Sequence, residues 1–413
     1  MTAEPDDRGS SRLLLLIAVL LIAANLRATI TGVGPLLAQI ADDLGTSEAA
    51  LGALAAVPLI AFGLVSPIAH GLSARWGMSR VVLASLLILA VGTIWRSLPG
   101  SPANLWLGTA LIGASLAVAN VLMPAVIKRD FSDRIPSVTA AFTACLSGMG
   151  AVASGVVVPI SHIPASGGDL GWQAALLCTA ALLPFAILAW LLAMRQRAPE
   201  RGTRLKRTRS GIWTDLLAWQ VLAYMGLQSM TFYMLVTWLA PIAHSLGRSE
   251  VVAGIDVMIY QLCAFAGSLV VPLLLRGRIE RFAPAVIPVL SIVGILGLIA
   301  LPGAFLFWVI LCGLASGASL SMSFSLFSLR ARTHQGSSAL SGMAQSGGYL
   351  IAATGPILFG TLLTLTGGWV APLILVAVVL TGQLIVGALV GRERFVLEPR
   401  DAVSPAAPTQ SAD

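Results

Sequence analysis

The residues of this chain best suited to chemistry are a few polar side chains inside long apolar stretches. Arg27 lies in an apolar run from Leu13 to Leu37, roughly 22 Å from its start at a helical rise of about 1.5 Å per residue. A guanidinium can hold an anion through two parallel hydrogen bonds. The sequence therefore leaves two interpretations open. Arg27 contacts an anionic ligand, or it pairs with one of the acids inside the apolar stretches, Asp215 or Asp256.

Other polar side chains in the apolar stretches are candidates for a cavity around Arg27. The candidates are neutral hydrogen-bonding groups, namely Asn25, Asn120, Gln228, Tyr233, Gln345 and Tyr349. Arg27 and Tyr233 each stand eight residues before a proline, Pro35 and Pro241, which predicts that they lie at equivalent depths. Any one of these residues alone is more often a helix-packing hydrogen bond. As a group they predict the lining of a substrate site.

Asp256 is the acidic residue considered for proton coupling. It lies about two turns into its apolar stretch, where an ionisable group is costly and often functional. The alternative is an acid in a wet vestibule, and the sequence does not decide between them. The chain has four cysteines and four histidines, without paired spacing or a metal-ligand pattern. We therefore predict no metal site and no cofactor.

The elements that hold these residues are predicted to be transmembrane helices. Of 413 residues, 57% are hydrophobic and 10% are charged, which is outside the usual composition of a soluble domain. Since a spanning helix needs about 20 mostly apolar residues, the sequence predicts an all-α membrane protein of twelve transmembrane helices. The predicted spans are 13–37, 49–72, 79–97, 103–127, 137–161, 172–194, 213–242, 251–275, 283–301, 304–329, 337–365 and 369–391.

The basic residues predict the orientation of these helices. Of the 25 Lys and Arg residues, 22 fall on one side of these spans, and only Arg96 and Arg248 fall on the other. Cytoplasmic loops carry the Lys/Arg excess, so both termini and the basic segment 195–212 are predicted to be cytoplasmic. The net charge of +7 is thereby explained without nucleic acid. The predicted location is the bacterial plasma (inner) membrane, with many passes.

Short sequence matches recur six spans apart and divide the chain into two related halves. The matching segments are 44–48 with 246–250, 171–172 with 368–369, and 147–148 with 346–347. In the first pair, Ser47 and Ser249 are predicted to cap helices. Because the matches keep their order and orientation, the repeat is predicted to be parallel. The predicted units are a six-helix half 1–194, a cytoplasmic linker 195–212, a six-helix half 213–391 and a disordered cytoplasmic tail 392–413.

Three segments, Asn25–Ile40, Ala119–Phe131 and Ala339–Pro356, together resemble the cyanate permease and nitroimidazole transporter family of the major facilitator superfamily. The likeness extends over residues 12–391. It implies the major facilitator fold, alternating access and a small anionic or polar heterocyclic substrate. The residues that match the family segments are Asn25, Arg27, Asn120, Gln345 and Tyr349.

The leading prediction is a secondary active transporter of a small organic anion or polar compound, similar to cyanate or a nitroimidazole. The alternative is a broad-specificity drug exporter of the same fold, for which a larger aromatic cavity and an acid in place of Arg27 are expected. The chain has no catalytic constellation or phosphate-binding loop, so neither an enzyme nor an ATP-driven pump is predicted. The predicted partners are the substrate, the lipid bilayer and a coupled proton, with the protein acting as a monomer and without nucleic acid.

Overall fold

The computed structural model describes residues 5–165, 168–195, 211–275 and 280–397, which are almost entirely helical. The helices are α1 (Pro5–Thr31), α2 (Leu37–Leu44), α3 (Glu48–Trp76), α4 (Met78–Arg96), α5 (Pro102–Asp130), α6 (Ile135–Ser161), α7 (Gly171–Cys178), α8 (Leu183–Arg195), α9 (Leu216–Ser245), α10 (Glu250–Leu274), α11 (Ala283–Ala300), α12 (Phe305–Leu329), α13 (His334–Thr366) and α14 (Val370–Val390). A two-residue hairpin pairs β1 (Pro164–Ala165) with β2 (Gly168–Asp169). Most of the predicted linker and tail lies outside the described residues.

The twelve predicted spans correspond to these helices, with two of them interrupted. The first span contains a 3-10 turn, Gly34–Leu36, between α1 and α2, where Pro35 lacks the backbone N–H that a continuous helix would use. The sixth span is broken between α7 and α8. Pro184 is the second residue of α8, a position that tolerates proline because its N–H would be unpaired. The interruptions therefore follow from proline chemistry.

Eleven helical segments of the described chain are long and apolar enough to cross a membrane. Their outer faces carry exposed apolar side chains, such as Leu64 at 60% and Leu365 at 75% exposure. The remaining predicted span is α9, in which every residue from Gln228 to Ala243 is buried. A helix surrounded by protein does not need an apolar exterior, which explains the polar side chains of α9. The chain is a multi-pass membrane protein.

The helices pack as two groups, α1–α8 and α9–α14. In the first group α1 packs against α6 and α8, and α5 packs against α3 and α4; in the second, α9 packs against α13 and α14, and α12 packs against α10 and α11. In the described chain the most extensive contacts between the groups form two seams, one between α3 and α13 and the other between α6 and α10. We name the side where α1 begins and α14 ends the terminal face, and the opposite side the far face.

The seams are tight toward the far face. A Cβ on Gly52 of α3 would lie 2.6 Å from the Trp238 ring and 2.8 Å from the carbonyl oxygen of Pro356, so glycine is needed for this approach. The predicted helix caps are confirmed, since the hydroxyl oxygens of Ser47 and Ser249 accept hydrogen bonds from the third residue after each. These caps fix the far-face starts of α3 and α10.

Candidate functional site

Arg27 is half-buried on α1 and borders a cavity between the two groups of helices. The cavity has about 440 Å³ of space free of protein atoms, part of it continuous with solvent, and extends from Arg27 toward the terminal face. Its lining residues come from α1, α6, α9, α10 and α12, and they are Arg27, Thr143, Ser147, Phe232, Gln261, Ala264, Phe265, Ser268, Ser316, Gly317 and Leu320. Both groups of helices therefore contribute to one partly polar cavity.

Neither of the acids considered as partners of Arg27 pairs with it. Asp256 forms a two-point ion pair with Arg248, at 2.6 Å and 2.9 Å. Asp215 caps α9 by accepting a hydrogen bond from the backbone N–H of Leu217 at 2.8 Å. No ion pair of the described residues includes Arg27. The structure therefore leaves the guanidinium free to contact a ligand, whereas the coupling role of Asp256 stays a prediction.

Aromatic side chains surround the Arg27 guanidinium. Its central carbon lies 4.7 Å from the centroid of the Phe232 ring, a cation–π geometry that stabilises a positive charge without neutralising it. The Tyr233 hydroxyl lies near the guanidinium. The Arg27 charge also acts on the hydroxyls of Tyr260 and Tyr349. The structure thus brings three of the candidate residues together, Arg27, Tyr233 and Tyr349.

The other candidates are bonded within their own helices. Asn25 and Asn120 donate from their side-chain amides to the carbonyl oxygen four residues earlier, at 2.7 Å and 2.9 Å. Gln345 donates to a serine hydroxyl four residues earlier at 2.8 Å, and Gln228 accepts from the adjacent serine at 3.1 Å. None of these four lines the Arg27 cavity. The Asn25 side-chain oxygen is buried and has no hydrogen-bond partner in the described chain.

A hydrogen-bond network beside Arg27 joins the two groups of helices through a residue that the sequence analysis did not select. Gln261 of α10 donates to the Ser154 hydroxyl at 2.7 Å and to the Gly150 carbonyl oxygen at 3.2 Å, both on α6. Thr31 of α1 donates to the same Gly150 carbonyl at 2.8 Å. Gln261 is a polar residue in an apolar stretch, so the rule that selected Gln228 also applies to it.

Arg96 is a second residue of interest. The sequence predicts that it lies on the side of the membrane opposite most basic residues. It is buried, with 1% of its surface exposed, at the far-face end of α4. The burial of Arg96 could not be predicted from its position at the end of a span. The pattern of one helix does not show that neighbouring helices extend past that residue. Arg96 therefore lies on the predicted side, but it is enclosed by neighbouring helices rather than exposed.

With this geometry established, comparison with known proteins identifies the family. Residues 15–356 match the Major Facilitator Superfamily. The chain belongs to this superfamily. It is 38% identical to the 2-nitroimidazole transporter of Escherichia coli (strain K12) over 96% of this chain and 100% of that protein. It is 29% identical to the cyanate transport protein CynX of the same organism, over 92% and 98% of the two chains. The predicted family resemblance is therefore confirmed.

Solved structures agree on the fold. A bacterial homologue of the human lysosomal transporter Spinster superposes with a TM-score of 0.76 at 14% identity, covering 95% of this chain and 98% of that one. At this identity the match shows the fold alone. The predicted major facilitator fold is confirmed, and the chain is a membrane transporter of this superfamily.

Proposed function

We propose that this transporter moves small planar anions or polar heterocycles by alternating access, and that Arg27 holds the substrate. The observation that carries the proposal is a cationic side chain in a cavity between the helix groups, without an acidic partner in the described chain. A guanidinium offers paired donors to an anion, and such a charge-assisted contact is stronger than a hydrogen bond between neutral groups.

The chemistry around Arg27 suits a flat solute. Phe232 and Phe265 line the cavity, together with serine and threonine side chains that carry neutral hydrogen-bonding groups. Aromatic faces stack on planar rings, so a heterocycle with a nitro group or a delocalised anion can use both the ring faces and the guanidinium. The names of the 2-nitroimidazole and cyanate transporters, as relatives, agree with this substrate class.

Alternating access is supported by the arrangement of the seams. The cavity extends toward the terminal face, whereas the contacts around Gly52 and Gln261 join the two groups nearer the far face or beside Arg27. If the two groups separate at these seams while their terminal-face ends close, the substrate site opens to the far face instead of the terminal face. We propose that the protein is a monomer in the bacterial inner membrane, with the terminal face cytoplasmic, in accord with the basic residues of 195–212.

The proposal is tested by transport into proteoliposomes that contain the purified protein. Labelled 2-nitroimidazole, cyanate and small carboxylates are offered separately to liposomes preloaded with the unlabelled compound. We expect saturable exchange of at least one of them, and Arg27→Gln should lower that rate by about tenfold or more. Arg134→Gln is the matched control, because Arg134 lies on the surface with 77% of its side chain exposed.

Two outcomes would contradict the proposal. One is exchange by Arg27→Gln at the rate of the unchanged protein, at equal amounts of folded protein in the liposomes. The other is exchange of large cationic dyes but of none of the small solutes, which would favour the drug exporter. The proposed orientation fails separately if a single cysteine placed within 195–212 reacts with an impermeant reagent added outside intact cells.

A further inference from the structure

The Arg96 guanidinium is a buried cation with unused hydrogen-bond donors. One terminal nitrogen donates to the backbone carbonyl oxygen of Thr29 on α1 at 2.7 Å. Nε and the other terminal nitrogen, Nη2, have no hydrogen-bond partner in the described part of the chain, and no ion pair there includes Arg96. Buried polar groups are nearly always bonded. A charge in a membrane protein with two unused donors therefore points to a ligand that supplies the missing acceptor.

Arg330 shows what a purely structural buried arginine looks like in the same molecule. Its Nε and Nη2 donate to the carbonyl oxygens of Val390 and Gly391, at 2.7 Å and 3.2 Å, at the end of α14. Those carbonyls would otherwise lack partners, because the last carbonyls of a helix have no N–H beyond them. Arg96 makes only one such bond. Its position is fixed by close helix packing, since a Cβ on Gly108 of α5 would overlap the Arg96 backbone.

Arg96 borders a second cavity, which lies between α1, α3, α4, α5 and α9. Polar groups on its border include Thr31, Thr109, Tyr233 and Thr237. The space admits a group of about the size of one or two water molecules. A ligand of Arg96 in this conformation must therefore be very small, and the charge of the guanidinium requires it to be an anion or a strong acceptor.

Tyr233 lies near both Arg27 and the Arg96 cavity. It borders the Arg96 cavity, and its hydroxyl lies close enough to Arg27 to feel the charge of the guanidinium. Arg96 also bonds to Thr29, two residues beyond Arg27 on α1. We propose that Arg96 forms a second anion subsite, on the far-face side of Tyr233, for a monoanion of halide or cyanate size. This proposal rests on the proposed function in one respect, because it takes the same anion to move between Arg96 and Arg27.

The test uses bromide as the probe and thermal unfolding of the purified full-length protein as the readout. Sodium bromide replaces sodium gluconate at constant ionic strength, because gluconate is too large for this cavity. In the unchanged protein, a bromide concentration of about ten times its Kd should raise the unfolding midpoint by about 1 to 3 °C, and the rise should grow with the logarithm of the concentration above Kd. Arg96→Gln should show a clearly smaller rise. Arg330→Gln, a buried arginine away from both cavities, should unfold at a lower temperature but keep the full rise.

Arg27→Gln separates this proposal from the proposed function. The bromide-dependent rise should persist in Arg27→Gln, whatever that variant does to transport. Absence of the rise in the unchanged protein, or an equal rise in Arg96→Gln, would overturn the second subsite. Loss in Arg27→Gln together with retention in Arg96→Gln would assign bromide to the first cavity and also overturn it. If Arg96→Gln does not fold, Arg96→Lys replaces it, with an expected increase of the bromide Kd by about tenfold or more.

Discussion

Replacing Gln261 with leucine should shift the protein toward a conformation that is open at the far face. Gln261 makes two hydrogen bonds across the seam between α6 and α10, to Ser154 and Gly150. Hydrogen bonds between membrane helices contribute about 0.6 kcal/mol each on average, so two of them contribute roughly 1.2 kcal/mol. Ser154 and Gly150 remain bonded to α1 through Thr31, so no buried group is left without a partner. The ratio of far-face-open to far-face-closed molecules should rise by about eightfold.

The populations can be measured as distances between spin labels at the far-face ends of α6 and α9. Ile163 and Leu246 suit this purpose because both are exposed, at 47% and 44%. The four native cysteines are first replaced with alanine. Gln383→Leu is the matched control, since Gln383 is a buried glutamine of α14, which packs against α9, α11 and α13 within one group. An unchanged distance distribution in folded Gln261→Leu would refute the role of this network in closing the far face.

Three further predictions concern stability and coupling. Arg330→Ala should lower the free energy of unfolding by about 1.5 to 3 kcal/mol, because the last carbonyls of α14 lose a charged donor; an unchanged chemical-denaturation midpoint would contradict this. Asp256→Asn should lower the free energy of unfolding by about 1 to 3 kcal/mol, because it leaves Arg248, whose side chain is 31% exposed, without its ion-pair partner. Adding Arg248→Gln should recover most of that loss. If that double variant transports with unchanged pH dependence, Asp256 does not carry a coupled proton. Gly52→Val should lower the free energy of unfolding by about 1 to 3 kcal/mol through overpacking, which would be measured as a lower thermal midpoint. Gly71 lies on the same helix with open space around it, so Gly71→Val should leave the midpoint nearly unchanged.

The fold could be predicted from composition and repeats because each span must satisfy its own backbone in lipid. Twelve apolar stretches of sufficient length therefore specify twelve helices, including α9, whose buried polar side chains lower its hydropathy. The predicted pairing of Arg27 and Tyr233 in depth rested on their equal distance from a proline. The structure brings these two residues together because the 3-10 turn at Pro35 and the far-face end of α9 pack against each other.

The partners of the charged residues could not be predicted in the same way. Sequence left Arg27 with two possible acids, and the choice depends on Arg248, which precedes α10 and folds back onto Asp256. The burial of Arg96 depends on how far α1 and α5 extend beside the end of α4, and the pattern of a single helix contains no such information. Gln261 was detectable by type, but its bonds to α6 require the packing of two helices more than a hundred residues apart in sequence.

Recognition of negative charge in the substrate by Arg27 can be tested by comparing matched charged and neutral ligands. Isothermal titration calorimetry would give Kd for a small aromatic carboxylate and for its neutral carboxamide, with the unchanged protein and with Arg27→Gln. A charged hydrogen-bonding contact of about 1.5 to 3 kcal/mol predicts that the unchanged protein prefers the carboxylate by roughly ten- to hundredfold. That preference should disappear in Arg27→Gln. An equal preference in both proteins would contradict the account.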